Sequence, residues 1–178
     1  MKWFNEPTTW SESEGEVLVR PDPQTDFWRV TGYGYVRDNG HIYGDTLDTD
    51  FDLTVRIRGD YARQYDQAGA VVRVDESHWI KTGVELLDGR HRFSTVVTVD
   101  NSSWTFTDLP EGFAALNLSL ARRGDAMEIK YSTDQNELEL ASIVYVEPRV
   151  DAFVGVMCAA PEGEGFAVTF SEYQLHAR

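Results

Sequence analysis

Apolar and polar residues alternate with a period of two along most of this chain. In "FDLTVRIRG" (51–59), Phe51, Leu53, Val55 and Ile57 share one parity, and Asp52, Thr54, Arg56 and Arg58 the other. "LNLSLAR" (116–122) and "MEIKYS" (127–132) repeat the pattern, and "GAVVRVD" (69–75) sets Ala70, Val72 and Val74 on one side. A period of two buries one face of a segment and leaves the other outside the core, which is the mark of half-buried antiparallel strands. "EVLVR" (16–20), "WIKTGVEL" (79–86), "FSTVVTVD" (93–100), "ELELASIVYV" (137–146), "DAFVGVMCAA" (151–160) and "GFAVTFSEYQL" (165–175) read as further strands. The one helical turn the pattern allows is "DYARQYDQ" (60–67).

Turn chemistry separates these runs. Asn39-Gly40 and Asp88-Gly89 take positive φ cheaply and predict tight hairpins, and Arg123-Gly124-Asp125 predicts another. In the last strand the apolar parity changes from even (Phe166, Val168, Phe170) to odd (Tyr173, Leu175). One extra residue near Ser171–Glu172 would restore the inward face, so a β-bulge is predicted there. Roughly a dozen short strands cannot lie in one flat sheet without curling. The expectation is an all-β fold, a two-sheet antiparallel jelly-roll sandwich with one concave sheet, formed by a single domain over residues 1–178.

Composition agrees. The chain has 178 residues, of which 42% are hydrophobic and 12% aromatic, so it can build a packed core. Its 16 Lys and Arg against 30 Asp and Glu give a formal charge of −14. A field of that sign repels phosphate backbones and anionic lipid, so neither nucleic acid nor membrane is an expected partner. There is one cysteine, Cys158, hence no intramolecular disulfide. "MKWFNEPTTWSESEGE" has no apolar signal core, and no run reaches the ~20 apolar residues of a membrane span. A soluble, cytoplasmic protein is expected.

"TDFWRVTGYGYVRDNGH" (25–41) and "YDQAGAVVRVDESHWIKTGVELLDG" (65–89) carry a resemblance that runs from "WFNEP" (3–7) to "EGFAVTFSEYQL" near the end. In these blocks the chain resembles the regulation-of-enolase-like family of unknown function, within the concanavalin A-like lectin/glucanase superfamily. The resemblance implies a two-sheet jelly roll. It implies little about chemistry, because that superfamily holds both sugar-binding lectins and glycoside hydrolases.

The strands at 69–75, 79–87 and 93–99 point to a site. If they are neighbours, the faces turned from the core carry Val71, Arg73 and Asp75; Trp79, Lys81, Gly83 and Glu85; and Ser94, Val96 and Thr98. So many charges suit a groove floor better than a core. There Arg73, Lys81 and Glu85 would stay ionised by offsetting one another's desolvation. Asp66 and Gln67 enter from the preceding loop, Gly83 leaves room for a ligand, and Trp28, Tyr33, Tyr35 and Trp104 form walls, with Arg37 beside them. Aromatic faces with Asp, Gln and Arg to read hydroxyls make the usual chemistry of a sugar groove. On this reading Trp79→Ala and Lys81→Ala abolish binding and leave the melting temperature nearly intact.

Catalysis has weaker support. Glycoside hydrolysis needs two carboxyl groups ~5–5.5 Å apart for retention or ~6.5–9.5 Å for inversion. Same-face neighbours on a strand are about 6.6 Å apart, yet the residue two before Glu85 is Gly83. Glu85 and Asp66 are the candidates, with no spacing to support the pair. "DTDFDL" begins like a calcium loop with Asp48, Asp50 and Asp52, but Leu53 and Gly59 stand where that loop needs Gly and Glu. The four histidines lack ligand spacing. No metal and no cofactor are expected. The leading reading is a non-catalytic binding module for a carbohydrate or similar polyhydroxylated ligand. The alternatives are a regulatory protein-binding domain acting on a metabolic enzyme, and a glycoside hydrolase or lyase using Glu85.

Overall fold

The structure, a computed structural model, describes residues 1–134, 137–148 and 150–178. Among them sixteen strands follow in chain order. The first eight are β1 (Lys2–Phe4), β2 (Thr9–Ser13), β3 (Glu16–Arg20), β4 (Phe27–Arg29), β5 (Val36–Asp38), β6 (His41–Leu47), β7 (Phe51–Gly59) and β8 (Gln67–Asp75). The rest are β9 (His78–Leu87), β10 (Arg90–Val99), β11 (Asn101–Asp108), β12 (Leu116–Arg123), β13 (Ala126–Thr133), β14 (Glu139–Tyr145), β15 (Ala152–Ala159) and β16 (Val168–Ala177). One sheet runs β1-β6-β15-β8-β9-β10-β11 and the second β14-β13-β12-β7-β16-β3-β2; β4 and β5 form a separate two-stranded ribbon. All strand ladders are antiparallel, and the fold is the expected β-sandwich. No helix occurs among the described residues, so none is long and apolar enough to cross a membrane.

The alternation explains the core. Phe51, Leu53, Val55 and Ile57 of β7 and Leu116, Leu118 and Leu120 of β12 face Ala68, Ala70 and Val72 of β8 and Val154, Val156 and Cys158 of β15. The predicted bulge is present: β16 loses register against β7 between Ser171 and Gln174, with Glu172 at φ 53°. Asp88 and Gly89 close β9 onto β10 with φ of 52° and 73°, the two positive values of a type I′ turn. Gly124, at φ 60°, opens the β12–β13 hairpin.

Three expectations change. Asn39-Gly40 makes no hairpin; both amides donate to the Asp26 carbonyl as the chain crosses from the ribbon to β6. Residues 60–67 form no helical turn, because the Asp66 carboxylate takes the Ala62 and Arg63 amides at 2.9 and 2.8 Å and fixes a tight loop instead. Gly83 does not leave room for a ligand. It sits opposite Gly69, and a Cβ there would lie 2.2 Å from the Ala68 carbonyl oxygen, so the glycine serves close strand approach.

Candidate functional site

The register confirms the alignment of the charged face. Val71, Lys81 and Val96 stand in one row across β8, β9 and β10; Arg73, Trp79 and Thr98 form the next, and Gln67, Glu85 and Arg92 another. This is the face of the first sheet turned away from the core. The β4–β5 ribbon lies over part of it: Phe27 and Trp28 pack on Val71, Trp79, Val96 and Met157.

At the base of the resulting cleft Lys81 is 5% exposed and Glu85 6%. The Lys81 ammonium donates to Gln67 Oε1 at 2.6 Å and to Asp26 Oδ1 at 3.2 Å. Gln67 Nε2 also donates to Asp26 Oδ1, at 3.1 Å, and so does the Phe27 amide, at 2.7 Å. A buried ammonium is tolerated here because a carboxylate and an amide oxygen replace its water. Two carboxyls share one cation, however, and the second feels the deficit. Burial pushes the Glu85 carboxyl above its ordinary pKa. The Lys81 charge and hydrogen bonds with Ser94 and Trp104 pull the other way, and Asp26 adds to the rise.

Aromatic rings make the walls. Trp28 meets Tyr33 edge-on at 5.4 Å and Trp104 at 6.0 Å; Tyr33 stacks with Tyr35 at 5.9 Å. The Trp28 indole donates to the Thr31 carbonyl and the Trp104 indole to Ser94 Oγ, so both rings are fixed. Tyr33 and Tyr35 are 50% and 41% exposed. The Tyr33 hydroxyl lies 3.5 Å from that of Tyr65, a contact that, with burial, pushes its pKa up to about 12. Base and walls bound about 310 Å³, much of it open to solvent; the part a water molecule can fill is about 20 Å³.

Trp28, Tyr33, Tyr35, Lys81, Glu85 and Trp104 therefore line one cleft, and Gln67 lies against its base. The remaining candidates do not join them. Arg73 forms a bidentate pair with Asp38 at 2.6 and 3.1 Å and stacks over Phe4, so it offsets neither Lys81 nor Glu85. Trp79 is buried beneath Phe27, so its loss would disturb packing rather than binding alone. Arg37 is exposed and reaches over the outside of Tyr35. Asp66 staples its own loop. Sequence reasoning missed Asp26 and Tyr65. Asp26 pairs with a lysine 55 positions away, a separation that no periodicity reports; Tyr65 stood in the "YDQAG" lead-in without a role.

For hydrolysis, the second carboxylate at the base would be Asp26, whose Oδ1 already holds three donors. Of the acidic triple, Asp52 pairs with Arg123 and Arg178, and Asp50 accepts the Gly124 amide. Among the described residues no group of three or more His, Cys, Asp or Glu is placed to hold a metal ion. Cys158 is buried, and burial pushes its thiol up.

Comparison with known proteins bears out the resemblance. "Regulation of enolase protein 1" of Saccharomyces cerevisiae is 35% identical over 175 residues, covering 98% of this chain and 88% of that protein. A crystal structure described as that of a functionally unknown protein from Saccharomyces cerevisiae superposes with a TM-score of 0.94 at 35% identity, covering 99% and 96% of the two chains. The carbohydrate binding module CBM66 from Bacillus subtilis shares the fold at 15% identity, with a TM-score of 0.60 over 98% and 95%. The family model for "Protein of unknown function (DUF1349)" matches residues 3–178, and the chain belongs to that family.

Proposed function

We propose that the protein is a binding module whose cleft takes a small polyhydroxylated molecule, a sugar of about monosaccharide size. One observation carries this reading: five aromatic side chains surround a base at which Asp26, Lys81 and Glu85 present buried donors and acceptors. Rings cover the C–H faces of a sugar, and fixed polar groups read its hydroxyls. The name of the Bacillus subtilis module supports the reading only through a shared fold.

The narrow base sets a condition. Space for about one water does not admit a sugar ring. Tyr33 and Tyr35, the most exposed walls, must swing outward; they ride on a turn where Gly32 and Gly34 hold positive φ. Calorimetric titration with a panel of pentoses, hexoses and their methyl glycosides tests the reading. Saturable binding by one class is expected, weakened tenfold or more in Tyr35→Ala. Silence across the panel at millimolar ligand would end it.

The name of the yeast relative favours a second reading, a regulatory domain that binds a metabolic enzyme. A complex with enolase that survives Tyr33→Ala and Tyr35→Ala but is lost on changing an exposed sandwich face would support it over the first.

A further inference from the structure

On the other side of the first sheet from the cleft, at the end where β8 turns into β9, the two sheets part around a cavity. Val72, Ile80, Val97 and Ala152 line it from the first sheet, and Arg122 and Val146 from the facing side. Its volume is about 370 Å³, against about 20 Å³ in the cleft by the same measure. A pocket of this size with a mainly apolar lining suits a small amphipathic ligand.

Arg122 occupies an unexpected position. Leu116, Leu118 and Leu120 point into the core, and Arg122 continues their parity inward, where it is 3% exposed. Its Nη2 donates to the Glu147 carbonyl at 2.9 Å and its Nη1 to the Val150 carbonyl at 3.4 Å. Those bonds hold the connection before β15, which is a structural use of the side chain. They leave Nε with no partner and the charge with no carboxylate among the described residues. A buried guanidinium without a counter-charge is costly, and a carboxylate is the anion its planar fork fits. The acids at the rim are already engaged: Asp75 by Ser77 and His78, and Glu147 by the Tyr145 hydroxyl.

We propose that this cavity is a second ligand site, for a small amphipathic carboxylate such as a medium-length fatty acid. The chain lies among Val72, Ile80 and Val97, and the carboxylate meets Arg122. Val99 and Tyr145, both largely exposed, stand at the mouth. The site is independent of the sugar cleft.

Octanoate, 1-octanol and octylamine titrated into the full chain provide the test. Octanoate is expected to bind one site saturably, at least tenfold more tightly than 1-octanol, with octylamine weakest. Val97→Trp fills the cavity and should abolish octanoate binding without lowering the melting temperature. Arg122→Lys keeps the charge but loses the fork, and should weaken octanoate about tenfold with little effect on 1-octanol. Tyr35→Ala, in the other site, should leave octanoate unaffected. No saturable octanoate binding at millimolar concentration, equal binding of all three compounds, or full binding by a folded Val97→Trp chain would each overturn the proposal. If Arg122→Lys does not fold, the Val97→Trp result still decides.

Discussion

Removing the ammonium at the base of the cleft tests the electrostatic account most directly. Lys81→Met keeps the length and apolar stem of the side chain, so packing beside Trp79 and Val96 changes little. Asp26 and Glu85 are then buried beside each other with no cation. Breaking a buried pair by deleting one partner costs about 3–5 kcal/mol, because the survivor's desolvation is no longer offset. Asp26 keeps the Phe27 amide and Gln67 Nε2, which argues for the lower half of that range. In a domain of this size 1 kcal/mol moves the melting temperature by roughly 2–4 °C, so a fall of about 6–16 °C is expected at pH 7. The sign of the pH dependence follows from linkage. Without Lys81 the buried Glu85 carboxyl loses a charge that offsets its desolvation and titrates still higher in the folded than in the unfolded chain. The native state then holds the extra proton, and stability falls as pH rises above the ordinary carboxylate range. The penalty should therefore shrink as the pH is lowered toward 4. Adding Asp26→Asn should recover part of the loss, since it removes one of the unpaired charges. Urea denaturation of the four chains of this double-mutant cycle, at pH 7 and pH 4, measures each quantity. A Lys81→Met chain within 1 kcal/mol of the parent at pH 7, or a penalty that grows on acidification, would refute the reasoning.

Glu85→Gln should act in the opposite direction. Burial raises the Glu85 carboxyl in the folded chain, so its ionised form opposes folding above the ordinary glutamate value. The glutamine variant should melt above the parent at pH 8, and the gap should close near pH 4; a variant less stable at pH 8 would count against the raised carboxyl. Trp79→Ala removes a ring buried beneath Phe27, and truncations of this kind cost about 3–5 kcal/mol. Denaturation should show that loss with or without any sugar present, which marks Trp79 as packing; an unchanged midpoint would return it to the cleft.

What was legible in the sequence depended on distance along the chain. Strand parity is a property of residues two apart, so the core faces of β7, β8 and β12 and the outward set of Lys81 and Glu85 could be read directly. The bulge in β16 was legible for the same reason, because a parity change has one cheap cause. β6 was missed because His41, Ile42, Tyr43 and Gly44 are all buried; a strand covered on both faces does not alternate. The ribbon covers that second face, and it also explains the errors at the site. Phe27 turns Trp79 from a wall into packing, and Asp38 takes Arg73 away from Lys81. Asp26 supplies to Lys81 the carboxylate that Glu85 was expected to supply. Each of these three corrections comes from a residue between 26 and 38 meeting one between 73 and 81. Charge on a central strand therefore announced that something polar must cover it, while the identity of the partner was set by tertiary contact. The same logic applies to Arg122: an arginine that continues an inward leucine row is legible as an anomaly in "LNLSLAR", but only the parted sheets around it show that the space beside it is open.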